Sequence, residues 1–205
     1  LIASTTAAAD IAFANLESPL SARGIRSGSI YSFRAEPEAV SGLTFAGFDV
    51  LSVANNHIWD YSRSAVQDTL SILEENNIMA IGGGENYDEA HAPKLVTVGR
   101  TRVAFLSYTN LLPASLSGKD SAPAVARYDD DVLREDIAKA KEHADIVVVS
   151  FHWGDEYEAK HNAEQERIAK LAIDGGADII VGHHPHVVQE VEEYHGGWIF
   201  YSLGN

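Results

Sequence analysis

Three histidines, His183, His184 and His186, fall within four residues directly after the apolar run Ile179-Ile180-Val181. Imidazole is the commonest metal-binding side chain, and a strand end can aim several rings at one point. Three further strand-like runs end in ligand-type residues: 10–14 in Asn15-Leu16-Glu17, 49–54 in Asn55-Asn56-His57, and 145–150 in Phe151-His152. In open α/β sheets, ligands bind beyond the carboxyl ends of the strands. If the strands are parallel neighbours, these exits predict one crevice able to hold divalent cations. Histidine nitrogen with carboxylate and amide oxygen suits Zn, Mn, Fe or Ni. Two such ions, roughly 3.5–4 Å apart, would activate a water for attack on a phosphate ester or a related polar bond.

Each residue also has an ordinary reading. Glu17 could be a surface carboxylate, and Asn55 and Asn56 a simple turn. His57 could cap a helix or pack on Trp59, and His152 could be a satisfied core histidine. Asp60, Asp155 and Glu156 are either partners that orient ligand imidazoles or solvated loop charges. His91, His143, His161 and His195 stand in no supporting pattern. Arg23, Arg26 and Arg34 lie close in sequence to Glu17. A guanidinium grips phosphate or carboxylate through two parallel bonds, though all three could equally serve surface solubility.

The elements that must position these groups alternate between strand and helix. A short helix is expected over 38–46, closed by Gly47. A second carries the apolar stripe Ala65, Val66, Thr69, Leu70 and Leu73. A brief strand follows at 79–81, then a hairpin of 95–98 with 102–108 around Gly99-Arg100. Helices are expected at 130–142 and 163–173, and a last strand at 198–201. The stretch 111–127 reads as irregular. Asp10, Asp49, Asp145 and Asp178 each precede an apolar run, which is read as turn chemistry through local backbone bonds.

With 205 residues, 45% of them hydrophobic, the chain is long enough for one domain with a sizeable core. It contains no cysteine, so any metal must be held by His, Asp, Glu or Asn. Thirty acidic residues against 15 basic give a net charge of −15, a poor surface for nucleic acid. An anionic substrate would need a locally positive pocket, which bound divalent cations would supply. The 205 residues contain no bilayer-length apolar run and no signal peptide. The chain opens on Leu1 and stops at Asn205 after a strand pattern, so it is expected to be a piece of a longer protein.

NLESPL (15–20), FRAEPE (33–38), GFDVLSVANNHIWDY (47–61), HWGDEY (152–157), GHHPHVVQ (182–189) and YSLGN (201–205) together resemble the CapA family, named for poly-γ-glutamate capsule synthesis. That family looks like a branch of the calcineurin-like metallophosphoesterases. The resemblance implies an α/β fold of four layers, α-β-β-α, with two mixed sheets flanked by helices, as a single domain over 1–205. It implies two divalent metal ions, Mn, Zn or Fe, with Glu17, Asn56, His152, His184 and His186 as ligands. Glu17 would stand in for the usual bridging aspartate, and His183 competes with His184. It implies His57 as the acid that protonates a leaving group, with Arg34 on the substrate. The family's opening Gly-Asp strand and the phenylalanine after Ser-Leu-Gly-Asn are missing from these residues, so metal occupancy is expected to be weak or partial.

Two functions follow from the resemblance. One is a metal-dependent, phosphoesterase-like hydrolase linked to capsule synthesis. The other is a non-catalytic component that binds or exports poly-γ-glutamate. The expected partners are an anionic polymer or phosphate-containing substrate and other capsule-synthesis membrane proteins, at an extracytoplasmic, membrane-anchored location. A purely structural metal domain is a third, weaker reading.

Overall fold

Apolar runs of three to nine residues, broken by turn chemistry, become strands, and amphipathic stretches between them become helices. The computed structural model describes residues 2–27, 30–112 and 122–205. Most of the irregular stretch expected at 111–127 lies outside the described residues. In chain order the elements are α1 (Ala3–Thr6), β1 (Phe13–Asn15), α2 (Val40–Ala46), β2 (Val50–Ser52), α3 (Ser62–Glu75), β3 (Met79–Ile81), β4 (Gly83–Gly84), α4 (Tyr87–His91) and β5 (Lys94–Val98). They continue with β6 (Thr101–Thr109), β7 (Ala124–Val125), α5 (Asp130–His143), β8 (Ile146–His152), α6 (Ala163–Asp174), β9 (Ile179–His183), β10 (Val191–Tyr194) and β11 (Gly197–Phe200). The chain forms two compact units, Leu1–Ala90 with Pro113–Val125, and His91–Leu112 with Ala126–Asn205. Among the described residues, no helix is long and apolar enough to cross a membrane.

The first unit carries a parallel sheet in the order β1-β2-β3, and a small antiparallel pair, β4 with β7. Val50, Leu51, Val53 and Ile81 are buried, as are Ala65, Val66 and Leu73 of the α3 stripe. A short 3-10 turn, Pro37–Ala39, leads into α2, which stops at Gly47 in a left-handed conformation (φ 75°).

The second unit is built on a six-stranded mixed sheet, β10-β11-β9-β8-β6-β5. Its centre, β11-β9-β8-β6, is parallel, and β5 and β10 add antiparallel edges. Val147, Val149, Ile180 and Ile199 are fully buried, as are Leu133 and Ile137 of α5 and Ile168 and Ala169 of α6. Asp129 caps α5 by accepting from Asp131 N–H and Val132 N–H, and Asn162 with Gln165 forms a capping box on α6.

Three of the four aspartates expected to bond locally reach instead to the neighbouring parallel strand. Asp49 Oδ2 accepts from Ala12 N at 2.7 Å, Asp145 Oδ2 from Arg102 N at 2.8 Å, and Asp178 Oδ2 from Val147 N at 2.7 Å. Each side chain spans to the entry of the adjacent strand and fixes the parallel register there. The strand exits expected in one crevice of neighbouring strands belong to two different sheets: those of Glu17 and of Asn56-His57 to the three-stranded sheet, those of His152 and His183 to the six-stranded one.

Candidate metal centre

In the first unit, two asparagines position the carboxylate of Glu17. Asn55 is completely buried and ties the end of β2 to the end of β1: its Nδ2 donates to Leu16 O at 2.8 Å and to Asn15 Oδ1 at 3.2 Å. Asn15 Nδ2 in turn donates to Glu17 Oε2 at 3.1 Å. Asn55 Oδ1 accepts the N–H groups of His57 and Ile58, which closes the turn that presents Asn56 and His57, both half-buried. His57 Nδ1 lies 2.8 Å from Oδ2 of Asp60, which is only 6% exposed. Asp60 therefore orients an imidazole rather than standing as a solvated charge. The Phe33 ring meets His57 edge-on at 4.6 Å between centroids.

The arginines near Glu17 divide by contact. Arg23 Nε bonds both carboxylate oxygens of Asp68, at 3.1 and 3.0 Å. That bond from Arg23 holds the Asp68 carboxyl below the usual carboxylate range. Arg23 is thereby committed to a structural fork. Arg26 Nη2 donates to Ile30 O at 2.7 Å. Arg34 stacks over Tyr61 at 4.5 Å and donates to Arg23 O at 3.1 Å, with a quarter of its side chain exposed. Its Nη2 faces Glu36 Oε1 at 3.9 Å, a loose surface pair.

The second unit gathers the histidines. β8 extends to His152 and β9 to His183, two residues beyond each expected end, and the register sets these two side by side. His152 is 1% exposed, and Thr109 Oγ1 donates to its carbonyl at 3.0 Å. The His184 ring lies 4.9 Å from that of His152 and 6.0 Å from that of His186. A ring nitrogen of His184 is within 4.8 Å of one of His186. Burial pushes the His183 imidazole down to about 4, so at neutral pH it carries no proton on one nitrogen and keeps a lone pair. His184 (φ 99°) and His186 (φ 58°) both have left-handed backbones, a costly arrangement for residues other than glycine.

This donor set fits a divalent cation. Imidazoles whose ring centroids lie 4.9 Å (His152 to His184) and 6.0 Å (His184 to His186) apart, in a chain without thiols, match the borderline ions Zn, Mn and Fe. Of the residues singled out in the sequence, His152, His184 and His186 come together in the second unit with His183 beside them. Glu17, Asn56, His57 and Arg34 lie in the first. Sequence reading missed the positioning role of Asn15 and Asn55; their adjacency to Glu17 and His57 was the available signal. It also gave no pattern to His91, which is buried and 3.1 Å from Asp136, or to His161, stacked on Tyr201 at 3.8 Å.

The two sheets with their helices have the fold of the calcineurin-like phosphoesterases. A calcineurin-like phosphoesterase from Bacillus subtilis superposes with a TM-score of 0.52 over 80% of this chain and 64% of its own, at 14% identity. A hypothetical protein from Thermus thermophilus gives 0.62 over 99% of this chain and 68% of its own, at 19% identity. At these identities the likeness concerns the fold alone. The chain belongs to the family of the bacterial capsule synthesis protein PGA_cap, whose model matches residues 2–205. The capsule biosynthesis protein CapA of Bacillus anthracis is 42% identical over 175 residues, 83% of this chain and 43% of that protein. The PGA biosynthesis protein CapA of Bacillus subtilis is 41% identical over 171 residues, 82% and 44% respectively. The chain thus spans less than half the length of these curated relatives.

Proposed function

We propose that the chain is the metal-holding part of a phosphoesterase-like hydrolase that works in capsule synthesis. The observation that carries this reading is the cluster of His152, His184 and His186, with neutral His183 beside it, at the exits of two adjacent parallel strands. Divalent ions, Mn, Zn or Fe, would be held in the second unit by His152, His184 and His186, and Glu17 and Asn56 are the candidate ligands of the first unit. Bound there, such ions would supply a water acidic enough to attack a phosphate ester near neutral pH. Asn15 aims the Glu17 carboxylate. Asp60 accepts from His57 Nδ1–H and would favour the imidazolium form, whose Nε2–H is the proton passed to a departing oxygen. Arg34 grips the anionic part of the substrate.

The experiment is turnover of a generic phosphomonoester and a phosphodiester with added Mn²⁺, alongside the His184→Ala variant. Metal-dependent turnover that disappears in the variant supports the reading, and activity indifferent to both metal and variant is contamination. No turnover with Mn²⁺ bound would favour the second reading, a non-catalytic component that binds or exports poly-γ-glutamate. What favours that reading is the family, whose relatives are named for capsule and PGA biosynthesis, together with the part-exposed Arg34 fork, which suits carboxylates as well as phosphates. Either reading implies an anionic polymer or phosphate-containing ligand, capsule-synthesis membrane proteins as partners, and an extracytoplasmic, membrane-anchored location. Protease accessibility in intact cells tests the location.

A further inference from the structure

Tyr157 combines two properties that seldom occur together in a loop. Its side chain is 72% exposed, and its backbone is held in the left-handed region at φ 63°. Asparagine or glycine would sit there at lower cost than an aromatic residue. The surroundings must therefore impose the conformation, and they do so from both sides. Tyr157 N donates to Pro185 O at 2.7 Å. The next carbonyl, Glu158 O, accepts from Gln189 Nε2 at 2.9 Å. Gln189 is itself held by Gln165 Nε2 at 2.9 Å; the two are 4% and 1% exposed, and Gln165 belongs to the α6 capping box. Asp155, nearer the start of the loop, accepts from Asn162 Nδ2 at 2.8 Å.

The result is a rigid loop that seats an exposed tyrosine against the His184-Pro185-His186 turn. Its ring is 6.0 Å from that of His186, tilted by 32°. Tyr157, His184 and His186 are three non-glycine residues with positive φ in one small neighbourhood. Backbone cost of this kind concentrates where a site is pre-organised for a ligand. Packing does not explain the ring, because most of it faces solvent. Around it stand Asp155, Glu156 and Glu158, so within 155–158 the phenol is the sole side-chain hydrogen-bond donor to an anion.

We infer that Tyr157 is a ligand-contacting residue of the metal centre, its hydroxyl donating to an oxygen of the phosphate or carboxylate that the centre binds. This rests on the metal-holding reading of His184 and His186. Rigid placement lowers the ordering cost of the contact, and a neutral donor adds affinity without opposing the cation charge.

The test uses the full chain loaded with Mn²⁺, with inorganic phosphate and glutarate as separate probes, by calorimetric titration. Tyr157→Phe removes the hydroxyl alone, and Tyr157→Asn removes ring and hydroxyl but suits the left-handed backbone. In both variants the bound Mn²⁺ per chain stays at the wild-type value, and affinity for at least one probe falls about tenfold. Tyr157→Asn also melts at or above the wild-type temperature. A loss confined to one probe supports the inference and names the oxyanion. Wild-type affinity for both probes in Tyr157→Phe overturns it, as does a large fall in melting temperature of Tyr157→Asn with affinity intact, which would make the residue structural. Absence of Mn²⁺ uptake by the wild type defeats the metal-centre reading first and the inference with it. Uptake with an indifferent Tyr157→Phe defeats the inference alone.

Discussion

His57 Nδ1 and Asp60 Oδ2 lie 2.8 Å apart, and the same carboxylate oxygen accepts the Phe33 N–H at 2.8 Å. One buried oxygen thus fixes both the imidazole and the strand-like segment whose ring rests on it. A carboxylate at Nδ1 favours the ring tautomer that carries the proton on that nitrogen. Asp60→Asn keeps the shape. At the position of Oδ2, however, it places either an oxygen that still accepts from both groups or an amide nitrogen that turns a donor toward Nδ1, favours the other tautomer and gives up the Phe33 N–H bond. We expect kcat of the metal-loaded protein to fall about 10–100-fold with KM little changed. The stability cost should be about 1–2 kcal/mol, read by urea denaturation. Unchanged kcat would remove His57 from proton transfer.

A ligand that binds only the folded chain stabilises it in proportion to the logarithm of its concentration. With Mn²⁺ at about 100 times its Kd, the gain is about 2.7 kcal/mol, a rise of roughly 5–10 °C in Tm for a chain of this size. His184→Ala should lose most of that rise. His143, exposed at the end of α5, serves as the control, and His143→Ala should keep it. Differential scanning fluorimetry with and without chelator reads both, and equal rises in the two variants would place the metal elsewhere.

The ligand-type residues at the strand exits were legible because they stand in local order: an apolar run followed by Asn-Asn-His or by His-His-Pro-His. The apolar stripe from Ala65 to Leu73 and the Gly99-Arg100 turn were equally local. The features missed depend on partners distant in sequence or on strands without an apolar signature. β10 reads Val-Glu-Glu-Tyr, and its hairpin turns on His195 and Gly196, both at positive φ, a primed turn written without the familiar Asn-Gly. β4 is a glycine pair matched with Ala124–Val125 some 40 residues on, which no periodicity announces. The aspartates looked like turn formers because the strand each one reaches is set by sheet order, which a linear reading does not contain. For the same reason the relay from Asn55 through Asn15 to Glu17 needed the parallel pairing of β1 with β2 before its direction could be seen.

Burial holds His183 neutral in the folded chain, with its pKa pushed down to about 4 against 6.5 for the exposed ring. Between those values the unfolded chain binds a proton that the folded chain does not, so stability rises with pH through this window. The contribution is complete above pH 6.5 and is lost as pH falls towards 4. Its full size is about 3 kcal/mol as an upper figure, since one pKa unit corresponds to about 1.4 kcal/mol. Urea denaturation of the chelated protein at pH 7.5 and pH 5 should show the loss. His183→Gln, which carries no titrating group, should flatten that part of the profile, and an unchanged slope would assign the pH dependence to other groups.

Gly182 precedes the histidine cluster and cannot accept a side chain. A Cβ there would stand 1.9 Å from Tyr201 O and 2.6 Å from Trp153 Nε1, which themselves share a 2.9 Å hydrogen bond. The obstruction is backbone on one side and a buried ring on the other, so neither yields cheaply. β9 would have to move away from the Tyr201 carbonyl, carrying His183 with it. Gly182→Ala should cost about 3 kcal/mol or more, with metal binding weakened beyond what the lost stability explains. Gly42 supplies the contrast. It lies inside α2 with nothing within 4 Å of an added Cβ, so Gly42→Ala should stabilise by about 0.5–1 kcal/mol. Opposite signs for the same substitution, measured by denaturant titration alongside Mn²⁺ affinity, would tie the requirement at 182 to the close approach of the 201 carbonyl. A mild Gly182→Ala would mean that the strand carrying the histidines can shift without loss.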